Sequence, residues 1–184
     1  AGSYFGTHPD APKIAEDMSN AFVTLYLKDI ADSMPPYQAI ALYEEFKELT
    51  PAGEQGDVVI QKLADRLAQV DLLDKAARLL MQQVDFRLQG EEKARVGARL
   101  ATIRLINKQP AMAADAITRS DETDIPPFLE GQRRQLLARA YIDQGFENRA
   151  LSVLDKDESR YADLLRAEIY WKNRKWPQAT KILF

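Results

Sequence analysis

Apolar positions recur along this chain with the 3.6-residue period of an α-helix. In "DVVIQKLADRLAQV", Ile60, Leu63, Ala64 and Leu67 stand at offsets 0, 3, 4 and 7, which puts them on one helical face, with Asp57 placed to act as an N-cap. "KAARLLMQQVDFRLQG" keeps the same period and stops at Gly90. "EEKARVGARLATIRLINK" and "GQRRQLLARAYIDQ" have the same character, the first opening on acids that suit a helix N-terminus. No alternating β-branched run of useful length interrupts them. Breakers fall between the periodic segments, at Pro35-Pro36, Pro51 to Gly56, Gly90, Pro110, Pro126-Pro127 and Pro177. The pattern predicts an all-α chain of about ten helices.

The periodic segments are themselves repeated. Ala150 has a small partner, Ala138, twelve residues earlier. Steps of 37 residues towards the N-terminus give Ala113 with Ala101, Ala76 with Ala64, and Ala39 with Leu27; a forward step of 29 gives Ala179 with Ala167. Four residues beyond each second anchor stands a large apolar side chain: Tyr43, Leu80, Ile117, Leu154 and Leu183. Alanine at facing positions lets two helices of a hairpin approach closely, and the large residue one turn on fills the space beside it. Each hairpin then keeps an apolar outer stripe that only a neighbouring hairpin can cover. Midway between the anchors, the turn positions read Met34, Asp71, Lys108, Gly145 and Arg174. Only one of them is glycine, so the turns are expected to come from neighbours such as Pro36 and Pro110.

The segment "LLARAYIDQGFENRALSVL" resembles a tetratricopeptide (TPR) repeat through Leu137, Ala138, Tyr141, Gly145, Ala150 and Leu154. Ala39, Tyr43, Phe46 and Pro51 resemble the second half of the same pattern, and the other alanine pairs match it more weakly. The resemblance covers residues 20–184 and leaves residues 1–19 as an N-terminal extension, partly loop. It implies a right-handed α-α superhelix of about five TPR-like hairpins, a fragment of a longer protein. The 37-residue step exceeds the family's usual length of about 34, which points to longer second helices or to loops such as "SDETDIPPFLEGQ". The 29-residue step points to a second helix shortened near Asp155 to Asp157.

Resemblance also implies where a partner would sit, in a groove lined by the first helix of each repeat. One groove position directly follows the first anchor: Lys28, Asp65, Thr102, Arg139 and Glu168. A second lies three before it, at Thr24, Gln61, Ala98, Gln135 and Leu164. A third lies four after it, at Ala31, Ala68, Leu105, Ile142 and Trp171. From these, Leu105, Ile142 and Trp171 are expected as apolar anchors for a peptide or partner helix, and Lys28, Asp65, Arg139 and Glu168 as charged selectors. The family's carboxylate clamp for chaperone tails needs Lys in the second set and Asn in the first, and neither occurs at its place here.

Chemistry adds little to this picture. The chain has no cysteine, which removes disulfides and thiolate ligands, and its single histidine, His8, lies in a Gly-Thr-His-Pro-Asp stretch near the N-terminus, where it reads as a surface residue. The carboxylates at Asp121, Glu122 and Asp124, and at Asp155, Asp157 and Glu158, lack the glycine and closing glutamate of a calcium loop and read as inter-helix capping. No phosphate-binding glycine loop or nucleophile elbow occurs. The expectation is a scaffold with no catalytic residue, metal or cofactor. A formal charge of −3, from 25 basic and 28 acidic residues, gives no general attraction to nucleic acid. The alternative is a helical-repeat binder of RNA or another acidic ligand through Lys93, Arg95, Arg99, Arg104, Lys108, Arg133, Arg134 and Arg139. No apolar run reaches the length of a membrane span. Cytoplasm is the default compartment, and a signal or anchor upstream would place the chain in the periplasm instead. The uncapped "TKILF" end offers a surface for self-association.

Overall fold

The computed structural model of the chain describes residues 10–28 and 34–183; His8 and Ala31 lie outside them. Among the described residues all regular structure is helical. The described residues form ten α-helices: α1 (Ala11–Leu27), α2 (Pro36–Phe46), α3 (Glu54–Gln69), α4 (Leu73–Phe86), α5 (Gly90–Ile106), α6 (Pro110–Arg119), α7 (Pro127–Asp143), α8 (Glu147–Leu154), α9 (Arg160–Lys172) and α10 (Trp176–Leu183). A 3₁₀ turn, Lys47–Leu49, follows α2. The chain divides within α4 into two compact units, residues 1–79 and 80–184.

In the first unit α1 packs on α3, burying Phe22, Val23 and Tyr26. Phe22 stacks obliquely on Tyr26 and on Tyr43, with ring centroids 5.0 and 6.3 Å away. The Tyr26 hydroxyl donates to the Ala39 carbonyl at 2.8 Å. Burial is the main reason that its pKa is pushed up to about 12, with a smaller opposing influence from Arg66. Side chains of α3 tie neighbouring backbone: Lys62 donates to the carbonyl of Leu27, at the end of α1, at 3.1 Å, and Arg66 to that of Met34, in the loop before α2, at 2.8 Å.

In the second unit each helix packs on its sequence neighbour in the pairs α5–α6, α6–α7, α7–α8 and α9–α10. Contacts also join α5 to α7 and α7 to α9. Ala138, Ile142, Ala150, Leu154, Ala162, Leu165 and Ile169 form one continuous core. The second-anchor alanines Ala39, Ala76, Ala113, Ala150 and Ala179 are all buried, as are Ala64, Ala101, Ala138 and Ala167. The first hairpin has half-buried Leu27 in that place.

The turns are built differently from the sequence expectation. Asp71, Lys108 and Arg174 adopt the left-handed conformation, φ 62°, 57° and 58°, just as Gly145 does at 80°. Each donates its N–H three residues back, at 3.0 to 3.1 Å, and the next residue donates five back, at 2.8 to 2.9 Å: Leu72 to Leu67, Gln109 to Arg104, Phe146 to Tyr141, Lys175 to Tyr170. This is the Schellman arrangement that satisfies the last carbonyls of a helix. The residue after the left-handed position then accepts from the second-anchor alanine four further on, at 3.0 to 3.1 Å in each case. The turn is therefore fixed by backbone hydrogen bonds, not by Pro110, which only starts the following helix. Three non-glycine residues accept the strain because the surrounding ladder determines the geometry. The equivalent turn near Met34 runs through residues outside the described set, but Ala39 still donates to the Pro35 carbonyl at 3.1 Å.

The same comparison locates the short step. Relative to the 37-residue unit before it, the last unit lacks two residues from the second helix (α8 against α6), two from the loop that follows, and four from the first helix (α9, 13 residues, against α7, 17 residues). Shortening of the second helix and its loop near Asp155 to Asp157 therefore supplies half of the change, and the shorter α9 supplies the other half.

Candidate functional site

The outer face of α9 carries the largest group of neighbouring exposed apolar side chains that can be traced to one helix. Tyr161, Leu164, Glu168 and Trp171 follow one another at spacings of three, four and three, which aligns them along a single stripe. The opposite face of the same helix, through Ala162, Leu165 and Ile169, lies in the core, so α9 is held with this stripe outward. Ser159 caps α9 by accepting from the Ala162 N–H at 3.2 Å. The left-handed Arg174 then reverses the chain and brings Trp176 onto Trp171, edge to face, with centroids 4.5 Å apart and planes at 76°. Trp171 remains 62 % exposed and Trp176 46 %.

Inside the stripe sits a complete ion pair. Arg139 of α7 donates to both carboxylate oxygens of Glu168, at 3.0 and 2.7 Å, while Lys172 reaches the same carboxylate at 2.8 Å and Asp143 lies 3.6 Å from Arg139. Hydrogen bonding from Arg139, assisted by Lys172 and opposed by partial burial, holds the Glu168 carboxyl below its usual range. The same bond raises the Arg139 guanidinium further. Covering this face with a partner would bury a pair already satisfied, not a lone charge.

The sequence-predicted residues fare unevenly. Arg139, Glu168 and Trp171 are brought to this one face, but the two charged residues hold each other and are not free selectors. Ile142 is buried at 4 % exposure in the core cluster, so it is a packing residue and not a groove anchor. Leu105 is half-buried on α5. Lys28, exposed at the end of α1, and Asp65, half-buried on α3, belong to the first unit. Gln135, from the second groove set, instead fastens the loop before α9 by donating to Asp157 Oδ2 and Ser159 Oγ at 3.0 Å each. Burial pushes the Asp157 carboxyl up, yet its bonds from Ser159 and Gln135 leave it below the usual carboxylate range. Missed in the sequence was Trp176 as a partner of Trp171, although its place just beyond the turn was legible.

The basic residues of the acidic-ligand alternative are largely held within the protein. Arg95 pairs with Glu91 and Glu92, Lys93 with Glu122 at 3.0 Å, and Arg134 with Glu130 at 3.2 Å. Arg104 is buried and donates to Gln109 at 2.5 Å. Burial alone lowers the pKa of Arg99. Arg133 is buried outright, donating to the Ala94 carbonyl, Ser120 Oγ and the Ile117 carbonyl at 2.7, 2.9 and 2.9 Å. Lys108, at its left-handed turn position, is exposed to solvent. A cavity of about 440 Å³ opens beside Arg133, lined by Ile117, Asp121, Glu122, Glu130, Arg134 and Leu137, but the guanidinium points its donors into the helices. Among the described residues no three His, Asp or Glu side chains converge as a metal site, and no helix is long and apolar enough to cross a membrane. Comparison of the chain with protein-family models, with characterised proteins and with solved structures gives no match.

Proposed function

We propose that this chain is a protein-interaction scaffold, a right-handed α-α superhelix of TPR-like hairpins that binds a peptide or partner helix and performs no chemistry itself. Support for the repeat comes from the four turns of one geometry at steps of 37, 37 and 29 residues, the steps at which the alanines recur. The observation that carries the binding role is the exposed stripe Tyr161, Leu164 and Trp171 on α9, continued by Trp176. Aromatic side chains beside a satisfied ion pair are what interface hot spots are made of, because they supply apolar area without stranding a charge. Ile142 drops out of the anchor set, and Leu164 and Trp176 enter it. Nothing specific favours the RNA alternative, since most of its cations already have internal partners.

Selection from a random-peptide library on the immobilised protein tests the reading. Peptides so obtained are expected to lose about tenfold or more in affinity with Trp171→Ala and with Leu164→Asp. Ile106→Asp, an exposed apolar position on α5, serves as the control and should leave affinity unchanged. Selected peptides that bind Trp171→Ala as tightly as the wild type would place the interface elsewhere.

A further inference from the structure

The α9–α10 corner carries a charge pattern that the rest of the stripe does not. Its turn reads Lys172-Asn173-Arg174-Lys175 and leads directly into Trp176. All four turn residues are exposed. Lys172 shares Glu168 with Arg139, and Asn173 holds Glu147, donating at 2.5 Å. Among the described residues, no carboxylate pairs with Arg174 or Lys175. This contrasts with Arg95, Arg119, Arg134 and Arg166, each of which has an acid one helical turn away. Two cations without a carboxylate partner therefore lie in the turn that joins the two half-open tryptophans.

We propose that this corner docks an acidic segment of a partner protein, with a large apolar side chain wedged against Trp171 and Trp176 and its carboxylates facing Arg174 and Lys175. The inference rests on the reading of α9 as a protein-binding face and adds the chemistry of the partner. Charge complementarity decides the sign of the ligand: a basic segment would meet like charges, whereas an acidic one gains attraction at the rim of the contact. Ring geometry decides its kind. Planes at 76° make a notch with one face and one edge, which fits a branched aliphatic or aromatic side chain. Stacking of successive bases asks for separate flat platforms, and here the edge of one indole is turned into the face of the other. Tightly held cations are absent from the rim, so docking need break no ion pair apart from, at most, the Lys172 arm of the Glu168 bridge.

The chain has two tryptophans and both belong to this corner, so their fluorescence reports on it directly. The probes are a synthetic acidic peptide containing Leu and Phe, the same peptide with Lys for each acid, and the acidic peptide with Ser for Leu and Phe. Oligouridine and phosphatidylserine vesicles complete the set. The expected result is a saturable emission shift with the first peptide, weakened about tenfold or more in either altered peptide and reduced by added salt. Lys175→Glu should weaken it about tenfold and Lys175→Gln by about threefold, with helical content unchanged. An equal response to the lysine peptide, no saturable shift with the acidic one, or tighter saturation by oligouridine or vesicles would overturn the proposal. If library-selected peptides depend on Trp171 but carry no acids, the protein-binding reading stands and this inference alone fails.

Discussion

Two regions of the second unit use the same materials to opposite ends. At the junction of α5, α6 and α7, an arginine, a serine and a glycine are closed on one another. At the α9–α10 corner, cations and aromatics are left open. Arg133 has donors on two backbone carbonyls and on Ser120, which is itself fully buried and bonded to the Ala116 carbonyl at 2.6 Å. Gly97 makes the approach of α6 to α5 possible: a Cβ there would lie 1.8 Å from Ser120 Oγ and 2.2 Å from its Cβ. Arg174 and Lys175 have no such closure, and Trp171 is more exposed than covered. The difference separates charge that completes a fold from charge that remains available to a partner. Sequence alone does not make that separation, because residue type does not say which cations the fold will bury.

Substitutions at the closed junction should have the largest effects. Arg133→Ala should lower the unfolding free energy by about 3 kcal/mol, since it opens a cavity and removes three buried hydrogen bonds, to the Ala94 and Ile117 carbonyls and to Ser120 Oγ. Gly97→Ala should cost about 2 kcal/mol or more, and pairing it with Ser120→Gly should restore much of the loss, because the clash is with that one side chain. Urea denaturation reads both. Losses below about 1 kcal/mol in the single variants would mean that the junction is looser than its geometry implies.

Closure in the first unit is tested by pH. Tyr26 is neutral in the folded protein up to about 12, whereas in the unfolded chain it ionises near 10.0. The folded pKa is the higher one, so its contribution is fully present below pH 10 and is lost as pH rises towards 12. The loss amounts to roughly 2 kcal/mol, the folded state being unable to follow the unfolded state into the phenolate. Melting temperature should therefore fall more steeply over this window in the wild type than in Tyr26→Phe. Parallel profiles would show that Tyr26 is not closed off. The variant also loses the bond to the Ala39 carbonyl, which shifts its curve down at all pH values without changing that slope.

A smaller effect is expected at the turns, where one backbone geometry is met by four different residues. Glycine at Asp71, Lys108 or Arg174 removes the Cβ strain of a left-handed residue, and each change should stabilise by about 0.5–1 kcal/mol. Gly145→Ala should destabilise by about 1 kcal/mol for the converse reason. Thermal unfolding of the four variants orders them. A destabilising Lys108→Gly would mean that the lysine side chain contributes more than its strain costs.

These turns also mark how far the sequence could be read. Alanine spacing was legible because burial of a small residue at a helix crossing leaves a periodic trace, and Ala39, Ala76, Ala113, Ala150 and Ala179 are all buried. The left-handed residues were not legible, because the Schellman bonds that impose the conformation are backbone bonds and leave no side-chain signature. Arg133 was equally hidden: its acceptors are the carbonyls of Ala94 and Ile117, 39 and 16 residues away, which no composition reveals. Gly97, a lone glycine inside a helical run, was the one available hint. At the corner, the spacing of Tyr161, Leu164 and Trp171 was present in the sequence from the start. Ile142, in contrast, was assigned to the groove by its register in the repeat, and the core claimed it because it faces Leu165 and Ile169.

The smallest effect sharpens the contrast from the open side. Glu168 bridges Arg139 and Lys172, but all three side chains are substantially exposed, so solvent screens the bridge and Glu168→Gln should cost no more than about 1 kcal/mol. Its sign is opposite to that of Tyr26. The folded pKa lies below the unfolded one, so the stabilisation is complete above the unfolded value and disappears as pH falls through the folded value. The wild type should thus lose its small advantage over Glu168→Gln in acid, a difference that denaturant midpoints at neutral and acidic pH can resolve. Removing this carboxylate also takes the acid from Lys172 and leaves Arg139 with Asp143 alone, which adds positive charge to the open face. An acidic peptide bound at the corner should then bind Glu168→Gln more tightly than the wild type, even though the variant is slightly less stable. Tighter binding in a less stable variant would show that this charge belongs to the surface and not to the fold, whereas weaker binding would put Glu168 among the groups that shape the site.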